Sequence, residues 1–267
     1  MPMPDNLVII RHGHSEGNLV VDASKEGDES LYTPDFRELP GSKWRLTAEG
    51  RQQAQITGNW ILNNLDFRFD RYYSTSYIRG RETAGLLALE GANWRLDQRL
   101  RERDWGDIGS LPRTEYIAKH PENSRIKDTD GLYWRPPGGE SIADVRQRVR
   151  NFFDTLHREC PGKNVVAVAH GEFMWAVRSE LEYMTDEKYA TLEKDKSQKI
   201  LNTQIIHYSR LDPKTGYQAR NLQWVRNITA WKEDSDTGWQ HIPKREIYTN
   251  EELLRQVEEV EPIIGIL

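Results

Sequence analysis

The chain has 267 residues, of which 37% are hydrophobic and 30% charged, with nine Trp; that is a globular composition with enough apolar mass for a core, and it excludes a low-complexity chain. A formal net charge of −5 speaks against a general electrostatic grip on nucleic acid, so an anionic ligand needs a local basic pocket. No apolar run approaches the ~20 residues of a membrane helix, no basic-then-apolar start marks a leader peptide, and the single cysteine, Cys160, excludes an intrachain disulfide. These features fit a cytoplasmic protein, with Cys160 read as a small buried filler at a helix end.

Residues 7–10 form a short unbroken apolar run, as expected of a strand buried on both faces of a parallel sheet. The run ends in Arg11 and His12, then Gly13. The polar segment 18–43 has no clear period and reads as an irregular connection at a pocket rim. Thr47 caps a helix whose Ala54, Ile61 and Leu65 share a face. Residues 70–74 read as a second strand leading into a helix near Arg79, residues 94–100 as a third strand, and 100–109 as a charged loop. Residues 113–119 read as a short helix stopped by Pro121, and 128–139 as turn-rich. Ser141, with Asp144 three residues on, caps an amphipathic helix through Val145, Val149, Phe152 and Leu156. Residues 165–169 are a buried strand ending in His170 and Gly171, followed by a helix through Leu181. Residues 203–211 and 222–231 read as an antiparallel pair, and a last helix starts at Asn250. Strands alternating with helices give a three-layer α/β domain.

Two histidines thus occupy matching places: His12 and His170 each follow a buried strand and precede a glycine. Ligands of open α/β sheets bind at the carboxyl ends of strands. Arg11 and His12 there suggest an anion site holding a reactive imidazole, with Gly13 letting backbone approach the ligand.

Arg11-His12-Gly13 resembles the signature of the histidine phosphatase superfamily, the phosphoglycerate-mutase-like enzymes, and the partners of that signature follow in order. Val166 to Gly171 is similar to the family's Val-x-x-x-His-Gly. Arg79 to Ala84 is similar to its Arg-x-x-x-Thr-Ala, which leaves Arg81 as a solvated helix residue. Leu100-Arg101-Glu102-Arg103-Asp104-Trp105-Gly106 is similar to its Leu-x-Glu-x-x-aromatic-Gly, whose glutamate is the proton donor. Leu46-Thr47 with Gly50, and residues 137–141, also recur in the family and support the fold. The matches span 7–181 in pieces. They imply a three-layer sandwich, a mostly parallel central sheet with helices on both faces. Residues 1–231 are expected to form one domain with insertions at 18–43 and 107–139 near the pocket, and 232–267 a C-terminal extension.

The resemblance implies a chemistry. Neutral His12 attacks phosphorus and becomes phosphohistidine, while Arg11, Arg79 and a protonated His170 neutralise the non-bridging oxygens. Glu102 protonates the leaving alcohol; Asp104, its rival, is read as a turn residue. Asn18, Gly171 and Arg135 are expected to touch substrate. No cofactor is implied. His14 departs from the glutamate frequent in the family; His12-x-His14 is also a metal spacing, but no carboxylate-rich motif accompanies it, so no metal is expected and His14 is read as a pocket wall. The longer insertion with paired arginines found in the family's phosphoglycerate mutases has no counterpart beyond Trp134-Arg135-Pro136. The leading expectation is therefore a metal-independent phosphomonoester hydrolase acting on a small phosphorylated metabolite. A phosphoglycerate-type mutase is the alternative, and a catalytically inactive phosphate-binding or scaffolding module ranks below both. The expected partner is a small-molecule phosphate ester, with neither nucleic acid nor membrane; a homo-oligomer is left open.

Overall fold

A computed structural model describes residues 2–263, so the last part of the expected extension, 264–267, lies outside the described residues. The strands are β1 (Asn6–Arg11), β2 (Arg71–Ser74), β3 (Trp94–Leu96), β4 (Asn164–Ala169), β5 (Ile205–Ser209), β6 (Trp224–Ile228) and β7 (Gln240–His241). The helices are α1 (Glu16–Lys25), α2 (Pro34–Glu38), α3 (Ala48–Asn64), α4 (Ile78–Leu86), α5 (Arg113–Lys119), α6 (Pro121–Asp130), α7 (Ile142–Glu159), α8 (Gly171–Leu181), α9 (Asp186–Lys194) and α10 (Asn250–Glu258).

The strands form one seven-stranded sheet in the order β3-β2-β4-β1-β5-β6-β7. Neighbours from β3 to β1 are parallel, and β5, β6 and β7 continue antiparallel. Successive side chains of a strand point to opposite faces, which divides the core in two. Leu7, Ile9, Val165 and Ala167 join Val145, Val149 and Phe152 of α7 and Phe173 and Val177 of α8 on one face. Val8, Ile10, Val166 and Val168 join Ile61 of α3 and Ala84 of α4 on the other. The expected three-layer sandwich is the observed one, and its central strands are unbroken apolar runs because neither face meets water.

Caps set the helix starts. Thr47 Oγ1 accepts from the Gly50 N–H at 3.1 Å. Ser141 and Asp144 form the full capping box of α7. Cys160 ends α7, buried, with its Sγ 3.7 Å from Tyr73 Oη.

Several sequence expectations need correction. The segment 18–43 is not irregular: it holds most of α1, all of α2 and a 3₁₀ turn at Gly41–Lys43. Its first helix is started by a capping box of Ser15 and Asn18. The period is hidden because α1 buries only Gly17 and Val20, leaving Leu19 and Val21 exposed. The third strand stops at Leu96, and Gln98–Leu100 turns as a 3₁₀ segment. Part of the charged loop is a second such turn, Gly106–Ser110. Pro121 opens α6 at its first turn instead of simply ending α5, so 128–139 is helical at its start. The sheet also continues past Trp231, with β7 on the edge of β6.

Candidate active site

Strand register builds the site. β1 and β4 lie side by side with Arg11 opposite Ala169. His12 and His170 are the next residues, so backbone pairing alone brings them together; the His12 N–H donates to the Ala169 carbonyl at 3.0 Å, and the two ring centroids are 5.0 Å apart. β2 ends on the other side of β4, where Thr75 Oγ1 is 3.0 Å from His170 Nε2. Three strand ends therefore converge at the carboxyl edge of the sheet, the usual ligand crevice of such folds.

Hydrogen bonding fixes the state of His12. Its Nδ1 is 2.7 Å from the Gly13 carbonyl oxygen. A carbonyl only accepts, so Nδ1 carries the proton and Nε2 keeps its lone pair. Arg79 Nε–H donates to that Nε2 at 3.1 Å. Burial, reinforced by Arg79 and Arg11, holds His12 well below the ordinary histidine pKa, so the ring is neutral. Burial, then Arg79, His12 and Arg11, likewise hold His170 well below the ordinary histidine value. With only the protein's own charges around it, His170 is neutral rather than protonated.

The guanidiniums are anchored by carbonyls. Arg11 Nη1 donates to the Ile200 carbonyl at 2.7 Å, and Arg79 Nη1 to the Gly41 carbonyl at 2.6 Å. Burial lowers Arg79 to about 10, which leaves it charged at neutral pH. Arg81, by contrast, is exposed. Arg11 Nε and His170 Nδ1 are buried without a hydrogen-bond partner. Orphaned polar atoms of this kind each cost roughly 1–3 kcal/mol; one belongs to the residue before His12 and the other to the ring whose centroid is 5.0 Å from that of His12.

Glu102 stands at the same place. Its Oε1 accepts from the backbone N–H groups of Arg103 at 2.9 Å and Glu172 at 3.2 Å. One donor atom each from His12, Glu102 and His170 lie within 4.8 Å of one another. Asp104 makes the expected turn bond, accepting from the Gly106 N–H at 2.9 Å. A cavity of about 660 Å³ opens above Arg11, His12, Arg79 and Glu102. His170 is fully buried beside it and does not line it.

The family model for the histidine phosphatase superfamily (branch 1) matches residues 7–198. The chain belongs to the histidine phosphatase superfamily. It is 31% identical over 194 residues to 2,3-bisphosphoglycerate-dependent phosphoglycerate mutase 2 of Gloeobacter violaceus, covering 70% of this chain and 80% of that one. A 2,3-bisphosphoglycerate-dependent phosphoglycerate mutase of Methylorubrum extorquens is 31% identical over 202 residues, covering 70% and 84%. Among solved structures, a mycobacterial glucosyl-3-phosphoglycerate phosphatase complexed with VO3 is 25% identical, with a TM-score of 0.59 and coverage of 77% and 92%. The alpha-ribazole phosphatase from Shigella flexneri shares the fold at 20% identity, with a TM-score of 0.61 and coverage of 81% and 95%. Phosphatases and mutases both stand among these relatives.

Other residues that the superfamily resemblance singled out fall in different places. Asn18 lines the cavity, but its Oδ1 is committed to the Ser15 backbone and to Asn202 Nδ2, at 3.2 Å each. Gly171 does not line the cavity; its Cα faces the Arg11 guanidinium, 3.6 Å from Nε to where a Cβ would stand. Arg135 is a correction. Its Nη2 is 2.7 Å from both Asp144 oxygens, the carboxylate that caps α7, and it does not reach the cavity. His14 is also not a cavity wall: its Nδ1 is 3.0 Å from Thr47 Oγ1 and its Nε2 3.7 Å from Asp22. Gly13 is needed for a different contact, since a Cβ there would stand 2.4 Å from the Gly50 carbonyl of α3.

Sequence reasoning missed two groups. Glu172 follows His170-Gly171 at the start of α8, 3.8 Å from Arg103. Burial, with Glu102 adding, pushes its carboxyl up to about 7. The only signal was its position two residues past His170. The segment before β5 is the second: Asn202 Nδ2 donates to the His12 carbonyl at 3.1 Å, and the Thr203 N–H to the same oxygen at 3.3 Å. No pattern in the sequence announces that buttress.

Proposed function

We propose that this chain is a phosphomonoester hydrolase that works through a phosphohistidine on His12. The observation that carries the reading is the unprotonated, buried Nε2 of His12, which accepts from Arg79 Nε, in a site where Arg11 Nε and His170 Nδ1 are buried without partners. An incoming phosphoryl oxygen takes the Arg79 N–H, which frees the lone pair for in-line attack. The Nε2–P bond forms as the P–O bond to the alcohol breaks. The electron pair goes to the leaving oxygen, which takes a proton from Glu102. The two backbone bonds to Glu102 Oε1 leave Oε2 as the proton-bearing atom. Water then gives its proton to Glu102 and attacks phosphorus, and the pair returns to Nε2. Arg11 and Arg79 follow the charge on the three non-bridging oxygens throughout.

The same His12–Glu102–His170 cluster has donor types that suit a metal ion. Two charged guanidiniums beside it oppose a divalent cation and favour an anion. A mutase reading is favoured by the 31% identity to phosphoglycerate mutases. The two are separated by measuring inorganic phosphate release and phosphoglycerate isomerisation on one preparation. Release is expected to dominate and to vanish in His12→Ala; faster isomerisation would establish the mutase instead.

A further inference from the structure

Beyond the phosphate site the lining of the cavity includes a set of apolar and aromatic side chains. It is lined by Val21, Tyr32, Leu39, Trp44, Trp105 and Ile108, drawn from the α1–α2 segment on one side and the Gly106–Ser110 turn region on the other. Val21 is 44% and Leu39 42% exposed, so apolar side chains stand open at the wall of the cavity rather than packing into the core. Trp105 carries the Arg103 guanidinium over its ring, 4.5 Å from the centroid, and lines the cavity.

The charges in that region are already spoken for or negative. Among the described residues lining the cavity, the cations besides Arg11 and Arg79 are Arg37 and Arg103. Arg37 pairs with Glu115 at 2.9 Å and donates to the Tyr32 carbonyl at 3.1 Å. Arg103 donates to the carbonyls of Glu140 and Trp134, at 2.8 and 3.1 Å, and faces Glu172. Glu38 and Asp104 add negative charge to the lining. A second phosphate or a carboxylate on the substrate would have to compete with these partners for a cation and would lose its hydration. A three-carbon acid would also leave most of a 660 Å³ cavity unfilled.

We propose that the substrate is a phosphate monoester of an uncharged alcohol bearing a ring-sized, flat apolar group, seated against Trp105 and the Tyr32–Trp44 wall. This rests on the phosphomonoesterase reading above, with the phosphoryl group held by Arg11 and Arg79. Burying a ring against aromatic walls typically strengthens binding by roughly tenfold or more.

The test compares 2-(1-naphthyl)ethyl phosphate with ethyl phosphate and 3-phosphoglycerate. The first two release similar primary alcohols, so a difference between them reports the ring and not the leaving group. In parallel, calorimetry measures binding of the matching non-hydrolysable phosphonates to the full-length protein. The expected result is a kcat/KM for the naphthyl ester at least about tenfold above that of ethyl phosphate, carried by KM, and the same order in phosphonate affinity. Trp105→Ala should shrink that ratio and Trp105→Phe should keep most of it. Equal handling of the naphthyl and ethyl compounds, or a preference for 3-phosphoglycerate, overturns the inference and leaves the hydrolase reading standing. Tight ring-dependent phosphonate binding without phosphate release from any ester supports the inference and counts against the hydrolase. Neither binding nor release overturns both.

Discussion

Glu102 and Glu172 sit two ends of one backbone contact apart, yet their environments ask different things of them. Glu102 faces the cavity with one oxygen pinned by backbone N–H groups. Replacing it by Gln keeps the shape and removes the proton, so turnover of an alkyl phosphate should fall by roughly 10²–10⁴-fold with little change in phosphate affinity. An unchanged kcat would assign the proton to another group. Glu172 is raised to about 7, first by burial and then by Glu102. Its folded pKa thus exceeds the ordinary carboxyl value, so the folded state binds more protons between about pH 4.5 and 7 and loses stability as pH rises through that window. Glu172→Gln should remove that dependence, gaining on the order of 3 kcal/mol relative to the wild type at pH 8 compared with pH 4.5. Denaturant unfolding at the two pH values measures it. That His12, His170, Arg11, Arg79 and Glu102 come together was legible because each sits at a strand end or a motif with fixed register. Glu172 and Arg135 were not: what decides them is a partner met only in space, Glu102 for one and Asp144 for the other.

At the scale of elements, the start of α3 is wedged against the chain that leaves β1. A Cβ on Gly50 would stand 2.0 Å from the His14 carbonyl, and one on Gly13 would meet the Gly50 carbonyl. Backbone, not a flexible side-chain tip, is the obstacle, so Gly50→Ala should cost about 1–3 kcal/mol of stability and displace His12. Thermal or denaturant unfolding checks the first, and loss of phosphate release beyond what stability explains checks the second. Buried strands and strongly amphipathic α7 were readable from apolar runs and a capping box. The α1–α2 segment was not, since a helix that walls a cavity leaves its apolar residues facing outward and loses its period. The C-terminal α10 starts at Asn250 as expected, capped by Thr249, although none of its residues is buried.

In the whole molecule the strands are parallel at the centre and antiparallel at one edge, so the two histidines are fixed by register and not by loop conformation. Fold class was legible for the same reason: strand–helix alternation is local, and parallel pairing follows from it. The low pKa of His170 has a global consequence. An anion bound between Arg79 and Arg11 offsets their fields and raises His170, so binding should take up a proton. Sulfate carries no proton at neutral pH, so calorimetric heats for sulfate binding in buffers of different ionisation enthalpy should reveal uptake, with affinity rising as pH falls. Proton-neutral binding would mean that His170 keeps its state.

The central claim is that His12 is the atom-level acceptor of the phosphoryl group. Rapid quench of the protein with a phosphorus-labelled alkyl phosphate, followed by peptide mapping, tests it directly. The expected result is a label on His12 that is lost in acid, survives base and is absent from His12→Ala. Label-free His12 together with undiminished phosphate release from His12→Ala would contradict it.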